Sequence, residues 1–310
     1  MIFFVDENDE NIRLDSFLTS VTTDLSRSRL QSLIKSGAVK VNNSDKKPSY
    51  IIKDGDKIEL EIPENEILKI EPENIPLDII WEDENMLVVN KPSGMLTHPT
   101  TIEKSGTLVN ALLYKYNNNL SDINGEFRRG ILHRLDRNTS GLLMIAKNNK
   151  THEYLAEKIK NHEFTKKYIT IVKGNYPLDE DIIEYPIGRH PTQPHKMAVV
   201  ENGKESTTIV KVIKRFKDAT QLDVTLITGR THQIRVHLSK KGHPVFNDTL
   251  YGAGQSKVKT EEQVLQSYYL RFTKPFSDEI IELQIEPDEK IKKVINYLES
   301  KKWKNYTMFL

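Results

Sequence analysis

The stretch Gly130–Lys147, GILHRLDRNTSGLLMIAK, constrains this chain more than any other part of the sequence. Apolar residues flank it on both sides, and short apolar runs bounded by glycine are typical of buried strands. Between the flanks, His133, Arg134, Asp136 and Arg137 place four ionisable side chains in five positions. Because unpaired charge is strongly disfavoured in a protein interior, we expect a turn at the rim of a sheet, with one carboxylate held among cations.

Such a cluster also has an ordinary explanation, since exposed loops often carry incidental ion pairs that contribute little. Residues 138–141, Asn-Thr-Ser-Gly, supply the short hydrogen-bonding side chains that any turn would use. Other parts of the sequence are needed to distinguish an incidental ion pair from a functional carboxylate.

The composition predicts a soluble, globular protein, and the length is sufficient for two or three domains. The chain has 310 residues, of which 37% are hydrophobic and 29% are charged. The absence of cysteine excludes disulfides, zinc–thiolate sites and a thiol nucleophile, and it fits a cytoplasmic location. No apolar run reaches the ~18 residues of a membrane helix, and the N-terminus lacks a secretory signal pattern, so we expect no membrane partner.

The net charge of +1 argues against indiscriminate binding to polyanions, but the charges are segregated along the chain. Residues 27–47 carry six cations and one acid, and residues 189–217 carry seven cations and two acids. Residues 61–78 hold six acids and one lysine. This distribution predicts local basic faces.

Residues 1–62 are predicted to form a small α+β domain. Ser26 is a candidate cap for a helix that runs through Lys35 and is stopped by a glycine. Arg27, Gln31 and Lys35 recur every four residues and share the outer face of that helix, opposite three aliphatic residues. Alternating strands follow, and an acidic, proline-containing linker is predicted over residues 63–76.

The order of helix, glycine turn, VKVN strand and DGD turn resembles the small RNA-binding module first named from a small-subunit ribosomal protein. This resemblance covers about fifty residues. It implies that four side chains of the helix contact RNA phosphates, which give affinity and orientation without sequence information. They are Arg27, Arg29, Gln31 and Lys35.

Residues 77–310 are predicted to form one larger domain, with helices between mostly antiparallel strands and hence an α+β fold. A strand over 166–174 places Tyr168 on one face together with every second residue. Residues 232–241 are predicted to be helical, with His232 and Arg235 on one helix face. Residues 187–196 form a basic loop, from which we expect Arg189 and Lys196 to contact RNA.

The sequence excludes several kinds of chemistry. It contains no HExxH pair, no phosphate-binding P-loop, no GxGxxG turn and no GxSxG elbow, so neither a metal nor a nucleotide cofactor is expected. What remains is Asp136, with Arg235 and Tyr168 as candidate partners. An ionised carboxylate can attack an electron-poor carbon or stabilise positive charge on it, as in glycoside cleavage. No second acid stands out to complete a glycosidase pair.

The segments HRLDRNTSG, KKYITIVKG and GRTHQIRVHL, in this order, resemble the pseudouridine synthases of the RluA/RluD type. IGRHP, HKMAV and NDTLYG point to the RluD-like branch. The resemblance covers nearly the whole chain, and implies a mixed, largely antiparallel central sheet flanked by helices. It also implies a bacterial enzyme that isomerises uridines in structured RNA, most often large-subunit rRNA, without a cofactor. Separately, we expect a monomer.

The resemblance also implies residue roles. Asp136 would be the catalytic aspartate that attacks the ribose carbon or assists cleavage of the glycosidic bond. Tyr168 would stack on the uracil and serve as a candidate general base, and Arg235 would pair with the aspartate. Arg134 would contact RNA, which leaves open whether it fills the gap left by the target base. The uracil has to leave the RNA stack to be reached. Lys91, His98, His133 and His232 are expected to be structural.

The chain departs from the family pattern at a few positions. Gln266-Ser267 stands where the family often has His-Ala, Lys274-Pro275 where it often has His-Pro, and Asn247 where a glycine often precedes the aspartate of the DxxYG turn. All of them lie outside the three motifs, so we expect them to alter only the local RNA surface.

Two other functions are compatible with the same residues. The chain could be a non-catalytic RNA-binding or ribosome-assembly factor that keeps the fold of an old active site. It could also be an RNA glycosidase that releases free uracil. The first would not need Asp136, Tyr168 and Arg235 together, and the second would be recognised by its product.

Overall fold

The computed structural model describes residues 1–6, 9–22, 25, 27–61, 70–100, 102–117, 119–193, 195–252, 254, 256–258, 260 and 263–303. The chain divides into two compact units, Met1–Lys69 and Ile70–Leu310, and each has its own hydrophobic core. The predicted cap Ser26 and residues 63–69 of the predicted linker lie outside the described residues.

The small unit is a four-stranded antiparallel sheet packed with two helices. Its elements are β1 (Ile2–Phe4), α1 (Leu14–Val21), α2 (Arg27–Lys35), β2 (Val39–Val41), β3 (Ser44–Asp45) and β4 (Lys57–Leu60). The strands pair in the order β1-β4-β2-β3. As the spacing predicts, α2 buries Leu30, Leu33 and Ile34 and turns its polar face outward.

The large unit is built on a nine-stranded sheet. Its elements are β5 (Ile79–Glu82), β6 (Met86–Lys91), α3 (Leu108–Tyr116), β7 (Ser140–Ala146), α4 (Asn149–Lys160), β8 (Thr165–Lys173), β9 (Glu180–Glu184), β10 (Ile187–Arg189), β11 (Met197–Val199), β12 (Thr207–Arg215), β13 (Ala219–Leu226), α5 (Gln233–Lys240), β14 (Leu265–Thr273), β15 (Ile280–Gln284) and α6 (Glu289–Trp303). The order is β5-β6-β7-β14-β8-β13-β12-β9, and β15 also pairs with β14. Among the paired strands of the described residues, β7 and β14 are the one parallel pair. The predicted α+β class is confirmed.

Alternate side chains of β8 lie on opposite faces of the sheet and pack into two different cores. Tyr168 and Val172 pack in the core that contains α3 and α5, whereas Ile169 and Ile171 pack in the core that contains α6. This is the period of two that the sequence predicts for a strand covered on both faces. Tyr168 therefore lies on the same face as α5.

The segment that leads into β7 differs from the prediction in one respect. Residues 131–139 form a loop, and the apolar residues before the charged cluster do not form a strand. Ile131 makes a single isolated bridge to Ile145, and Gly130 takes a left-handed φ of 72°. The loop instead crosses the face of the sheet, with Ile131 and Leu135 packed into the core. These apolar residues are therefore explained by packing against the sheet and not by pairing in a strand.

Residues 70–76, the described part of the predicted linker, contact the large unit. Ile70 is buried in the same core as α3. The Glu73 amide donates to the Asn110 carbonyl at 3.0 Å, and the Asn110 side chain donates to the Glu71 carbonyl at 2.8 Å. None of the helices in the described part of the chain is both long and apolar enough to cross a bilayer.

Gly141 is where β7 approaches β14 most closely. Its φ is 114°, and a Cβ atom added there would collide with the backbone of Ser267. We therefore expect Gly141→Ala to lower the free energy of unfolding by about 2–3 kcal/mol, because backbone strain and overpacking act together.

Denaturant unfolding measures this loss, and Gly106→Ala is the matched control. Gly106 is also left-handed, at a φ of 69°, but its added Cβ would meet nothing within 4 Å. Only the strain of about 1 kcal/mol is expected there. Equal losses in the two variants would show that the close approach of the strands is unimportant.

Candidate active site

A cleft of about 520 Å³ opens on the face of the sheet that carries Tyr168. The loop 131–139 forms one wall, and the segment from the end of β13 to the start of α5 forms another. Asp136, Tyr168 and Arg235 all line this cleft, although they are far apart in the sequence. The structure thus brings the three predicted catalytic residues together.

Arg235 connects two carboxylates. Its Nη1 donates to Asp136 Oδ2 at 3.0 Å, and its Nε and Nη2 donate to Asp248 Oδ2 and Oδ1 at 2.6 and 3.0 Å. Asp136 keeps 19% of its side chain exposed in the cleft, whereas Asp248 is completely buried. The guanidinium thus binds the buried acid, Asp248, through two N–H groups and the accessible acid, Asp136, through one.

The charge on Arg235 is maintained by these partners. Burial by itself would lower its pKa, but Asp248 and Asp136 raise the pKa above its ordinary value. Asp248 Oδ1 also accepts from the backbone amides of Leu250 and Tyr251, which anchors it in the turn after α5. The result is a fixed cation next to the exposed carboxylate.

Asn247 helps to form that turn. Its φ is 61°, a left-handed conformation that asparagine tolerates better than most residues and that glycine adopts freely. Its side chain accepts from the Ser256 amide and donates to the Val258 carbonyl. The departure from the family glycine therefore preserves the backbone that presents Asp248.

Tyr168 is nearly buried beneath the cleft, at 6% exposure. Burial raises the pKa of its phenol to about 12, and the charge of Asp136 acts in the same direction. The phenol therefore stays protonated near pH 7. Stacking on a base needs no ionisation, whereas a general base would need a much lower pKa.

Two other departures from the family lie in the core, so the expectation that they alter an RNA surface is wrong. Gln266 and Ser267 are 1% and 2% exposed. The Gln266 side chain accepts from the Asp288 amide and donates to the Glu286 carbonyl. The Ser267 hydroxyl donates to the Leu142 carbonyl at 3.2 Å. These residues occupy β14, which β7 and β8 cover on both edges.

Lys91 fixes the loop beside Asp136. It is fully buried, and its Nζ donates to the carbonyl oxygens of Pro92, Met95 and Arg137 at 2.9, 2.8 and 3.0 Å. Burial lowers its pKa to about 7, and all three donors of the ammonium are used. Because Arg137 follows Asp136 directly, this contact positions the carboxylate, in line with the structural role expected of Lys91.

Arg134 belongs to the same loop as Asp136 and also lines the cleft. It is exposed, and its Nη1 lies 3.4 Å from His98 Nε2. Burial, and then the charge of Arg134, lower the pKa of His98 to about 4, so this imidazole is neutral and can accept. The Thr97 hydroxyl donates to the Leu135 carbonyl at 3.0 Å, which holds the same loop.

Cations dominate the walls of the cleft. Among the described residues that line it, Asp136 is the only acid. The lining cations are Arg128, Arg134, Lys160, Lys166, Arg230 and Arg235. Such a cleft favours a ligand with several negative charges, and a nucleic-acid backbone is one.

The four predicted RNA contacts on α2 differ in their surroundings. Arg27 and Gln31 both donate to Asp15, a buried carboxylate of α1 that Arg13 also binds. These bonds hold the pKa of Asp15 well below its usual range. Lys35 is exposed and Arg29 is half-buried. The RNA contacts of the α2 face remain a prediction.

The basic loop at 187–196 belongs to a two-stranded hairpin formed by β10 and β11. Arg189 ends β10 and is exposed, and Lys196 immediately precedes β11 and is half-buried. The Met197 amide donates to the Tyr251 hydroxyl at 2.9 Å, which ties the hairpin to the turn that follows α5. The contact of Arg189 and Lys196 with RNA likewise remains a prediction.

Sequence reasoning did not predict Asp248 as a partner of Arg235. It expected a structural role for Lys91 but not the three hydrogen bonds by which Lys91 holds the loop. The DxxYG turn contained Asp248, but no spacing links it to Arg235, since that pairing depends on how the turn folds back on α5.

No group of three or more histidine, cysteine, aspartate or glutamate side chains in the described part of the chain could hold a metal ion.

Residues 85–240 match the RNA pseudouridylate synthase family, and residues 12–58 match the S4 domain. The chain is 43% identical, over 94% of its length and 95% of that protein, to an uncharacterized RNA pseudouridine synthase of Aquifex aeolicus. It is 39% identical to the ribosomal large subunit pseudouridine synthase D of Zymomonas mobilis, over 88% of this chain and 90% of that protein.

A solved structure, human RNA pseudouridylate synthase domain containing 1, superposes with a TM-score of 0.56 at 25% identity. It covers 73% of this chain and 95% of its own. The resemblance to the RluD-like synthases is therefore confirmed by the family match and by relatives named ribosomal large subunit pseudouridine synthase D. The chain belongs to the RNA pseudouridylate synthase family and carries an S4 domain near its N-terminus.

Proposed function

We propose that this chain converts specific uridines of large-subunit rRNA to pseudouridine, with Asp136 as the catalytic carboxylate. The observation that carries the proposal is the 3.0 Å pairing of Asp136 with Arg235 inside a cation-lined cleft that also contains Tyr168. An incidental surface ion pair would lack the buried second acid, Asp248, that fixes the arginine. The Zymomonas relative, named for the ribosomal large subunit, supports rRNA as the substrate.

The reaction needs an everted uridine whose ribose carbon C1′ reaches Asp136. The glycosidic bond breaks and its electron pair leaves with N1, while Asp136 attacks or electrostatically stabilises the electron-poor sugar. The uracil turns, and a new bond forms between C5 and C1′; where Asp136 has attacked C1′, its C–O bond breaks in this step and the carboxylate is released. C5 then loses a proton and N1 gains one, so that no electron donor or group donor is consumed.

Arg235 and Tyr168 act on different parts of this reaction. Arg235 orients Asp136 through one hydrogen bond to Oδ2, which leaves Oδ1 to face the sugar. Tyr168 offers a flat, protonated ring on which the uracil stacks. Arg134 and the other cations of the cleft wall hold the neighbouring phosphates. Because rRNA is the proposed substrate, we also propose that the protein acts in the cytoplasm, as a monomer.

The direct test incubates the purified protein with unmodified large-subunit rRNA and no added cofactor. We expect pseudouridine at one or a few positions, read by site mapping and by nucleoside chromatography. Binding without any pseudouridine would instead indicate a non-catalytic RNA-binding factor. Release of free uracil would indicate an RNA glycosidase. Mapping pseudouridines in cells with and without the protein would identify the target uridines.

The small unit is proposed to supply affinity for RNA. Deleting residues 1–62 should weaken rRNA binding and reduce the slope of log K against log salt concentration, because fewer phosphates are neutralised. Among the described residues, none from this segment belongs to the hydrophobic cores of the large unit, so the catalytic fold should persist.

Filter binding at several salt concentrations measures that slope, and circular dichroism checks the fold. The full-length protein is the reference. An unchanged slope in the shortened protein would remove the small unit, and with it Arg27, Arg29, Gln31 and Lys35, from phosphate binding.

A further inference from the structure

His232 has an unusual backbone for its position. The predicted helix at 232–241 begins one residue later, at Gln233, and His232 is its N-cap with φ 56° and ψ 20°. N-caps are usually extended and are usually Ser, Thr, Asp or Asn, whose side chains bond the first turn. The His232 side chain makes no such bond. A left-handed non-glycine residue beside a candidate active site suggests that the backbone is held there for the sake of its side chain.

The side chain of His232 is held by Tyr251. The Tyr251 hydroxyl lies 2.7 Å from His232 Nδ1 and accepts from the Met197 amide. Because Met197 provides the donor to this oxygen, the hydroxyl proton is free to point at Nδ1. Nδ1 of a neutral imidazole is then the acceptor, and the ring proton resides on Nε2. The Tyr251 ring also packs against the imidazole, edge to face, and beneath the guanidinium of Arg235.

The remaining nitrogen, Nε2, faces the reacting end of the cleft. It lies 3.7 Å from Asp136 Oδ1, the oxygen that Arg235 does not bind. That separation is too long for a hydrogen bond. His232 lines the same cleft as Tyr168 and keeps 18% of its side chain exposed. An N–H donor is therefore presented beside the carboxylate without being consumed by it.

We propose that His232 is a further catalytic residue, whose Nε2–H donates a hydrogen bond to the uracil anion that exists between cleavage of the glycosidic bond and formation of the carbon–carbon bond. The inference rests on the proposed function. When the N1–C1′ bond breaks, its electron pair is delocalised over N1 and the two carbonyl oxygens of the ring. The donor stabilises that charge and transfers no proton, so the proton balance of the reaction is unchanged.

The charges around His232 favour the neutral ring that this role requires. Burial lowers its pKa; Asp136 and Asp248 act to raise it, and Arg235 and Arg134 act to lower it, with a lowered pKa as the net result. An imidazolium would instead pair with Asp136 and reduce its availability to the sugar. A neutral donor does not form an ion pair with Asp136 and still offers a hydrogen bond to the departing base.

The test compares His232→Gly with His232→Gln on unmodified large-subunit rRNA under single-turnover conditions. Glycine relieves the left-handed backbone but removes the donor, whereas glutamine restores an N–H near the position of Nε2. We expect His232→Gly to lose about 10²–10³-fold in rate, as is typical when one oxyanion-hole donor is removed. RNA affinity and thermal stability should not fall. Glutamine, or added imidazole in the glycine variant, should recover at least about tenfold of the rate.

Asn117→Gly is the matched control, because Asn117 is an exposed residue that also has a left-handed φ, of 48°, and it does not line the cleft. Its rate on saturating RNA should equal that of the wild type. A wild-type rate in His232→Gly, or a loss that neither glutamine nor imidazole recovers, overturns the inference. Wild-type protein is assayed in parallel: if it forms no pseudouridine, the proposed function itself fails, which is a distinguishable result.

Discussion

Asp136→Asn should abolish pseudouridine formation while rRNA binding persists. The substitution keeps the size and shape of the side chain and still offers one oxygen to Arg235 Nη1, now 3.0 Å from Asp136 Oδ2. It removes the negative charge that attacks or stabilises the ribose carbon. Loss of a residue that acts directly on the reacting atom can cost at least about 10⁴-fold in turnover. Binding depends mainly on phosphate contacts, so the dissociation constant should change little.

Pseudouridine formed per enzyme is measured against time, and filter binding gives the affinity in parallel. Asp179→Asn is the control, because its carboxylate is 85% exposed and contacts Arg215, which is not a lining residue of the cleft. It should react at the wild-type rate. Wild-type turnover in Asp136→Asn would remove Asp136 from the mechanism. Joint loss of turnover and affinity would point to a structural role instead.

Arg235→Met should reduce both stability and turnover. Methionine is long and apolar and fills much of the same space, but it leaves the fully buried carboxylate of Asp248 without its cation. Removal of one partner from a buried ion pair typically costs about 3–5 kcal/mol in the free energy of unfolding. Turnover should fall as well, because Asp136 loses the hydrogen bond that orients it.

Chemical denaturation measures the stability, and the single-turnover rate is measured below the unfolding transition. Lys211→Met is the control, since it removes an ion pair to Glu180 whose two side chains are 65% and 68% exposed. Exposed pairs contribute about 0–1 kcal/mol, so that variant should unfold almost as the wild type does. A loss in Arg235→Met no larger than in Lys211→Met would show that Asp248 finds another compensating partner.

The two experiments examine the same three-residue arrangement from opposite ends. Asp136 is exposed enough to meet a substrate, and its substitution should affect chemistry without affecting the fold. Asp248 is buried, and loss of its cation should affect the fold and the chemistry together. Arg235 connects the two acids, so a change in this one side chain affects the stability of the turn as well as the reacting carboxylate.

Several local features could be predicted from the sequence because they repeat within one element. The period of two along β8 placed Tyr168 on the face of the sheet that holds the cleft. The period of about four along α2 separated its aliphatic and polar faces. The charged cluster in a loop before β7 followed from the high free energy of burying charge. These rules need only neighbouring residues.

Other features depended on the tertiary structure and were missed or predicted wrongly. Ile131 resembled part of a strand, but it packs across the sheet as part of a loop. His232 was predicted to be inside a helix, but it lies just before it in a left-handed conformation. A hydrophobic pattern reports that a residue is buried, and it does not specify which surface covers the residue.

The sequence by itself determined most of the elements, the family and the three candidate catalytic residues, because each is encoded in a short segment or a motif. Only the tertiary structure decided that Arg235 divides its guanidinium between two acids, one of them 99 residues away, that Lys91 fixes the loop beside Asp136, and that Nε2 of His232 faces the free oxygen of Asp136. Hydrogen bonds are directional and act over about 3 Å. Their partners are therefore set by how distant segments pack, which no local pattern contains.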